Sequence, residues 1–377
     1  MEPAPTEPKA ALETDQHWMA RCLELAQRGR TAPNPRVGCV IVKNNGVVGE
    51  GWHERAGAPH AEVMALRSVG DRTALEGSTL YVNLEPCNHY GRTPPCTEAI
   101  VPSGIRRVVI GTLDPDPRVS GRGCDRLQAA GLDLTVGVLE AESQSINEGF
   151  FYRLRHGQPL GIWKYAMTLD GKISTTTGHS QWITSPPARQ FVHRLRSDCD
   201  AVITGGNSVR LDDPHLTTHG LHPNNPLRVV LTRSFRLPSH AHLWRVADAP
   251  TLVITEIAAA QNYPELHHTL GQQGVEVLLL PQLSITAVVA ELAQRGMNQI
   301  LWECGAPLAA AAMTAQSIQK IYAFIAPKIV GGHGNGAIAN LGITHMEQAI
   351  SLTRITWQAI GDDWLVTGYV DHPAASA

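Results

Sequence analysis

Two successive α/β domains, the second with a mixed sheet, are what the sequence predicts, and three observations carry the prediction. The chain has 377 residues, more than one ordinary core holds and enough for two domains of roughly 150–200 residues each. Helical and strand periods alternate along most of it, the pattern of layered α/β structure. The alternation lapses between Ser143 and Pro159, where polar, aromatic and turn residues read as a linker. The expected organisation is a disordered tail over 1–13, a first domain over 14–150 and a second over 151–377.

In chain order, the Pro-, Ala- and Glu-rich tail shows no period. A helix follows, capped by Thr14 or Asp15 and closed by Gly29, with Trp18, Cys22 and Leu25 on one face. Val37–Val42 and Val47–Glu50 flank Asn44-Asn45-Gly46, a hairpin signal. Next come a helix over His60–Val69, a strand over Thr79–Leu84, a helix over Thr97–Val101 and a strand over Arg107–Gly111. A helix over Asp125–Ala130 and a strand over Leu134–Val138 complete the first series. The second series opens with Gly161–Leu169 and continues with strands at Ala201–Thr204, Arg228–Thr232, Thr251–Thr255, Val275–Leu280 and Ile300–Glu303. Helices fall at Pro187–Arg196, Ile285–Arg295 and Pro307–Ala315. Strands at Lys320–Ile325, Ile355–Ile360 and Trp364–Val370 end the chain in an antiparallel pattern, which makes the second sheet mixed.

Composition narrows the function classes. With 43% hydrophobic and 17% charged residues, the chain is neither disordered nor a coiled coil. Lys and Arg total 31 against 34 Asp and Glu, a net charge of −3. A nucleic-acid binder usually carries a basic surplus, so nucleic acid is not the expected partner. No uncharged apolar run approaches the roughly 18 residues of a membrane span, and the opening MEPAPTEPKA lacks the pattern of a secretory signal. Seven cysteines, an odd number spread along the chain, argue for reduced thiols rather than a disulfide scaffold. The expectation is a cytoplasmic protein acting on small molecules.

The strongest chemical signal is His60-Ala61-Glu62, followed by Pro86-Cys87 and Cys96. One His and two Cys are three ligands for Zn²⁺ that leave the fourth position to water, as in a catalytic site. Bound Zn²⁺ lowers the pKa of water to about 7. Glu62, two residues beyond His60, is placed to move protons rather than to ligate. This order of residues is that of zinc deaminases, although eight residues separate the two Cys instead of two. Within that insertion, His89 and Arg92 suit a phosphorylated substrate. The remaining cysteines read as small core residues.

These residues, with others along the chain, place the sequence in a family. It resembles the bifunctional riboflavin-biosynthesis deaminase/reductase. The matching stretches are Ala32-Pro33-Asn34-Pro35-Arg36-Val37-Gly38, Pro59-His60-Ala61-Glu62-Val63 and Leu84-Glu85-Pro86-Cys87 through Cys96. They continue with Asp114-Pro115-Asp116-Pro117, Gly121-Arg122-Gly123, Leu169-Asp170-Gly171-Lys172, Ser180-Gln181-Trp182-Ile183-Thr184-Ser185 and Asp212-Asp213-Pro214 with Leu216-Thr217. The resemblance implies a cytidine-deaminase-like three-layer domain, a dihydrofolate-reductase-like second domain and a homo-oligomer, dimer or tetramer. It implies Zn²⁺ and NADPH as cofactors. By it, 2,5-diamino-6-(5-phosphoribosylamino)pyrimidin-4(3H)-one loses its amino group as ammonia, and hydride from NADPH then opens the ribosyl ring to a ribityl chain. Glu62 would carry protons, while Asn34, His53, His89 and Arg92 match substrate-holding positions.

In the second half the residues alone say less. The dinucleotide fingerprint G-x-G-x-x-G is absent between a strand and a helix. Thr204-Gly205-Gly206-Asn207-Ser208 and Gly305-Ala306-Pro307-Leu308-Ala309 remain as Gly-rich turns, the latter able to offer a helix N-terminus to a pyrophosphate. The resemblance makes Lys164, Ser180, Thr184, Arg196, Leu216 and Glu303 substrate-side candidates, with Lys164 and Glu303 stabilising charge during reduction. It makes Ala166, Trp182, Ser208, Asp212 and the segment Gly305, Ala306, Pro307, Leu308, Ala309, Ala310 and Ala311 cofactor candidates. Arg233, ending a strand, is placed to read the 2′-phosphate of NADPH. Two positions depart from the family pattern: His219 stands where Arg is usual, and Thr232-Arg233 end a strand that commonly ends in Asp. His219 is therefore a candidate for the substrate's phosphate. His215, His219 and His222 otherwise read as solvated loop histidines, with a second metal site disfavoured. Two other readings compete: a nucleic-acid deaminase with an appended domain, and an active deaminase whose C-terminal half only binds a ligand.

Overall fold

A computed structural model describes residues 7–91, 93–116, 119–222 and 225–372. The chain divides into two compact units, Met1–Gly157 and Gln158–Ala377.

The first unit is built on a five-stranded sheet of β1 (Gly38–Lys43), β2 (Gly46–Trp52), β3 (Thr79–Leu84), β4 (Arg107–Thr112) and β5 (Asp133–Val136). Their order is β2-β1-β3-β4-β5. β1 runs antiparallel to β2 and β3, while β3, β4 and β5 are parallel. The hairpin turns at Asn44 and Asn45 (φ 51° and 59°), the left-handed pair a tight two-residue turn demands. Alternation along the strands produces two cores, because successive side chains leave opposite faces. Cys39, Ile41, Leu80, Val82, Val108 and Ile110 meet Ala61, Ala65, Ile100 and Leu127 on one face. Val40, Val42, Tyr81 and Val109 meet Met19, Cys22 and Leu25 on the other. The result is the expected three layers.

Two expectations are corrected here. The first helix spans Glu7–Ala26, so residues 7–13 are helical rather than a tail; Ala10, Ala11, Leu12 and Glu13 are strong helix formers, and Pro8 sits in the first turn, where proline is tolerated. Residues 1–6 of that tail lie outside the described residues. The expected linker is instead two helices, Glu140–Ile146 and Glu148–His156, and the first unit extends beyond residue 150 to Gly157. Asn147 between them is buried. It accepts from the Arg36 N–H (2.7 Å) and donates to the Arg36 carbonyl (2.9 Å). Arg153 donates to the Pro33 carbonyl at 2.7 Å. These helices brace the loop that carries Asn34.

The second unit holds β6 (Leu160–Thr168), β7 (Ala201–Gly205), β8 (Leu227–Thr232), β9 (Thr251–Glu256), β10 (Glu276–Leu280), β11 (Gln299–Trp302), β12 (Lys320–Ala326), β13 (Leu352–Ile360) and β14 (Asp363–Val370). Their order is β10-β9-β8-β7-β11-β6-β12-β14-β13. All neighbours from β10 to β12 are parallel, and β14 and β13 close the sheet antiparallel, so the sheet is mixed as expected. Trp163, Ile203, Val229, Ile254 and Trp302 form its main core with Val288, Leu292, Ala309 and Met313. Helices at Gly206–Asp212, Ile257–Gln261 and Pro264–Gln272 were not anticipated. The parallel strands bring Thr168, Gly205, Thr232 and Glu303 to the carboxyl end of one sheet, where such folds bind ligands. No helix among the described residues is long and apolar enough to cross a membrane.

Candidate active sites

In the first unit, Gly49 and Gly51 let the helix Ala61–Ser68 lie directly on β2. A Cβ at Gly51 would stand 2.6 Å from the Ala61 carbonyl oxygen, and one at Gly49 2.6 Å from that of Ala65. This contact fixes His60, the residue before the helix, and Glu62 in its first turn. Cys87 follows β3, and Cys96 opens the helix Cys96–Ile100. The three donors converge as the spacing predicts, their ligating atoms all within 4.8 Å of one another. His60 Nδ1 lies 3.5 Å from Cys87 Sγ and 3.3 Å from Cys96 Sγ. A tetrahedral Zn²⁺ with ordinary Zn–S and Zn–N bonds has N···S edges of about 3.5 Å, so the donor set fits that ion.

Glu62 is almost fully buried (3% exposed) beside this triad. Burial, then the neighbouring Cys87, pushes its carboxyl up to about 7. The Cys87 thiol is held below the ordinary thiol range by Cys96 and His60 beside it, the direction that suits a metal ligand. His53 is buried after β2 and meets the His60 ring edge-on. Its Nδ1 is 3.1 Å from the Pro59 carbonyl, and Asn34 Nδ2 is 3.0 Å from its Nε2. Those contacts match a neutral ring that donates to Pro59 and accepts from Asn34. Burial also lowers its pKa. His89 is exposed, and Arg92 lies outside the described residues.

Sequence reasoning missed Glu85. Its buried carboxylate accepts backbone N–H bonds from Asp114 and Gly121 at Oε2 and from Gly123 and Cys124 at Oε1 (2.8–3.3 Å). It ties the Cys87 turn to the loop after β4. Four acidic-to-amide contacts from one side chain are visible only in three dimensions.

In the second unit, Glu303 lies just beyond β11, and both it and Lys164 are half-buried, with side chains 9% and 19% exposed. Glu303 Oε1 accepts from Arg196 Nε at 2.6 Å and Oε2 from Arg196 Nη2 at 3.1 Å. Lys164 Nζ is 3.5 Å from Oε2. Burial would raise the Glu303 pKa, but Arg196 and Lys164 together outweigh it and hold the carboxyl at about 2. Burial lowers the Lys164 pKa, against the pull of Glu303. Ala166, two residues along β6, packs near Val192 and Phe324.

The remaining candidates lie around this carboxyl end. Ser180 Oγ donates to Asp212 at 3.4 Å. Arg189, also missed, stacks over exposed Trp182 (4.6 Å) and donates to the Thr184 carbonyl at 2.7 Å. Ser208 is half-buried in the helix that starts after Gly205. Gly305 precedes the helix Ala306–Thr314, and nothing stands within 4 Å of a Cβ built on it. Of that segment, Ala309 and Ala310 are core, while Pro307 is exposed and Leu308 and Ala311 are half-buried. Arg233 is exposed at the end of β8. Leu216 is a buried side chain with φ 52°, so only its backbone is available to a ligand. His219 is exposed, also left-handed at φ 50°.

Comparison with known proteins bears on both units. The family model for the cytidine and deoxycytidylate deaminase zinc-binding region matches residues 12–112. The RibD C-terminal domain model matches residues 159–366. The riboflavin biosynthesis protein RibD of Synechocystis sp. is 54% identical over 360 residues, covering 95% of this chain and 96% of its own length. The chain belongs to the RibD family. The Escherichia coli RibD is 40% identical over 357 residues, covering 89% of this chain and 94% of its own length. Among solved structures, the Thermotoga maritima deaminase/reductase superposes with TM-score 0.83 at 33% identity, covering 96% of this chain and 99% of that one. Acinetobacter baumannii RibD gives 0.81 at 35%, covering 96% and 99%. As a RibD protein the chain is a bifunctional enzyme of riboflavin biosynthesis, with a zinc-dependent deaminase and an NADPH-dependent reductase. The non-catalytic reading of the second half is not favoured.

Proposed function

We propose that the first unit deaminates 2,5-diamino-6-(5-phosphoribosylamino)pyrimidin-4(3H)-one and that the second reduces the resulting 5-amino-6-(5-phosphoribosylamino)uracil, with the following division of labour. His60, Cys87 and Cys96 hold Zn²⁺, which when bound makes water acidic enough to attack near neutral pH. Glu62 takes a proton from the attacking water and passes it to the amine as the C–N bond breaks and ammonia leaves. A buried carboxyl whose hold on its proton is strengthened by burial suits both halves of that task. Asn34 and neutral His53 orient the pyrimidine, and His89 with Arg92 engage its phosphoribosyl arm.

In the second unit, hydride adds to the ribosyl carbon and the ring opens to ribityl. Lys164, which shares the Glu303 carboxylate with Arg196, stabilises the charge that develops on the departing ring oxygen and supplies its proton. Gly305 and the first turn of the helix Ala306–Thr314 face the cofactor's pyrophosphate, with Ala166, Trp182, Ser208 and Asp212 toward the nicotinamide and Arg233 toward the 2′-phosphate. Ser180, Thr184 and the Leu216 backbone hold the substrate. We assign the enzyme to the cytoplasm and to a homo-oligomer through the second unit. Support comes from seven free cysteines and from an edge strand, β13, that leaves Ile355 49% and Trp357 62% exposed.

One observation carries the deaminase reading: a fully buried carboxyl beside a zinc-shaped donor triad. Glu62→Gln should keep about one zinc per chain and lose deamination by at least ~10²-fold, read by metal analysis and product mass spectrometry. A Glu62→Gln protein nearly as active as the parent would refute the assignment. Zinc retained after Cys87→Ala with Cys96→Ala would refute the ligand set.

A further inference from the structure

Four imidazoles form a column in the second unit. His242 stacks on His215 with ring centroids 4.1 Å apart, His215 meets His219 edge-on at 5.9 Å, and His219 lies 4.2 Å from His193. They come from three elements: the helix Pro186–Asp198, the loop after Asp212, and the short turn His242–Trp244. The column leads to Arg196, whose Nη1 donates to the Thr217 carbonyl at 2.9 Å and lies 3.4 Å from His193 Nδ1.

The charges around it leave a gap. A phosphomonoester dianion needs cationic partners, yet Arg196 is already clasped by Glu303 through two nitrogens, and Lys164 shares the same carboxylate. On the far side, Arg228 is buried and spends its donors on Thr251 and on the carbonyls of His215, Arg245 and Ala249. Asp213 faces His242, Oδ2 lying 2.7 Å from Nδ1. Arg245 and Asp248 act on His215 from further off. The column, with His193 beside Arg196, is thus a source of new positive charge next to the Lys164–Glu303–Arg196 cluster.

We propose that the His193–His219 pair, backed by His215 and His242, binds the phosphate of the reductase substrate by taking up a proton as the dianion arrives. The inference rests on the reductase reading above. Without ligand the surroundings disfavour charge on the pair. Burial, then Arg196 and His219, pushes His193 down to about 4, and burial, Arg196 and His215 lower His219. A dianion reverses the sign of the local field and favours the imidazolium. Because the bound pKa is raised above the free one, affinity is fullest at low pH and is lost as pH rises through the bound value. A guanidinium in place of His219 would carry its charge at every pH.

The test uses the full chain and ribose 5-phosphate, titrated calorimetrically in two buffers of different ionisation enthalpy between about pH 7 and 8.5, where the ligand is mostly dianionic (second pKa about 6). Expected are uptake of about one proton per ligand and an affinity that falls by up to ~10-fold per pH unit, with neither effect for ribose. His219→Arg should reduce the uptake and flatten the pH slope. His193→Gln with His219→Gln should abolish the uptake. Binding without proton uptake, uptake unchanged in the double variant, or no binding of ribose 5-phosphate would each overturn the proposal. An enzyme that reduces its substrate yet takes up no proton loses only this inference. One that binds ribose 5-phosphate with uptake but never oxidises NADPH loses the reductase reading instead.

Discussion

Arg233 shows how much a single exposed side chain can decide. It follows the last residue of β8, one strand from Gly205 and the helix that begins there. The phosphate that distinguishes NADPH from NADH is a dianion suited to a guanidinium fork. Losing such a charge-assisted contact should weaken NADPH roughly 10–100-fold and leave NADH unchanged. Arg233→Ala, assayed with both cofactors, checks this, and equal losses for the two would show that the residue does not read the phosphate. At this scale the sequence was uneven. The proposed zinc donors were legible because their chemistry lies in residue type and order, and the structure brings their ligating atoms together. The histidine column was not, because His193 and His242 join His215 and His219 only through tertiary packing. Glu303 was legible only through family likeness, since its environment is supplied by a helix more than a hundred residues earlier in the chain.

Elements rather than residues set the geometry of the deaminase. The helix behind His60 is held at backbone distance from β2 by two glycines, so bulk at Gly51 must move the helix or the strand. Gly51→Ala should cost roughly 1–3 kcal/mol, as overpacking does, and should weaken zinc binding as His60 shifts away from Cys87 and Cys96. Thermal unfolding and chelator competition measure the two effects. Destabilisation with unaltered zinc affinity would mean that His60 is positioned by its other neighbours. Most elements were legible, since alternation with a period of two or near four marks strands and amphipathic helices. The helices Glu140–Ile146 and Glu148–His156 were not. Their purpose is polar: Asn147 and Arg153 satisfy backbone groups of a distant loop, which leaves no hydrophobic period to read.

For the whole molecule, two units with separate sheets and cores predict separable activities. Residues 1–157 should deaminate without NADPH. A piece ending at residue 146 should be markedly less active, because it lacks Asn147 and Arg153, which brace the Asn34 loop. Comparing the two fragments by ammonia release tests this, and equal activity would show the brace to be dispensable. The strand order of the second sheet also has a consequence in time. β6 is its first strand to leave the ribosome, yet it lies between β11 and β12, pairing Leu160 with Gln299 and Lys320 with Ile162. Such closure is slow because its contacts are far apart in sequence. Until Gln299–Trp302 has been synthesised, a strand carrying Ile162, Trp163 and Tyr165 has neither neighbour, and its second neighbour waits for Lys320–Ala326. The deaminase, whose last helix ends at His156, can finish folding while the reductase is still waiting. In a growing chain, the deaminase is complete early, and the exposed apolar strand that follows it is where a chaperone would be needed.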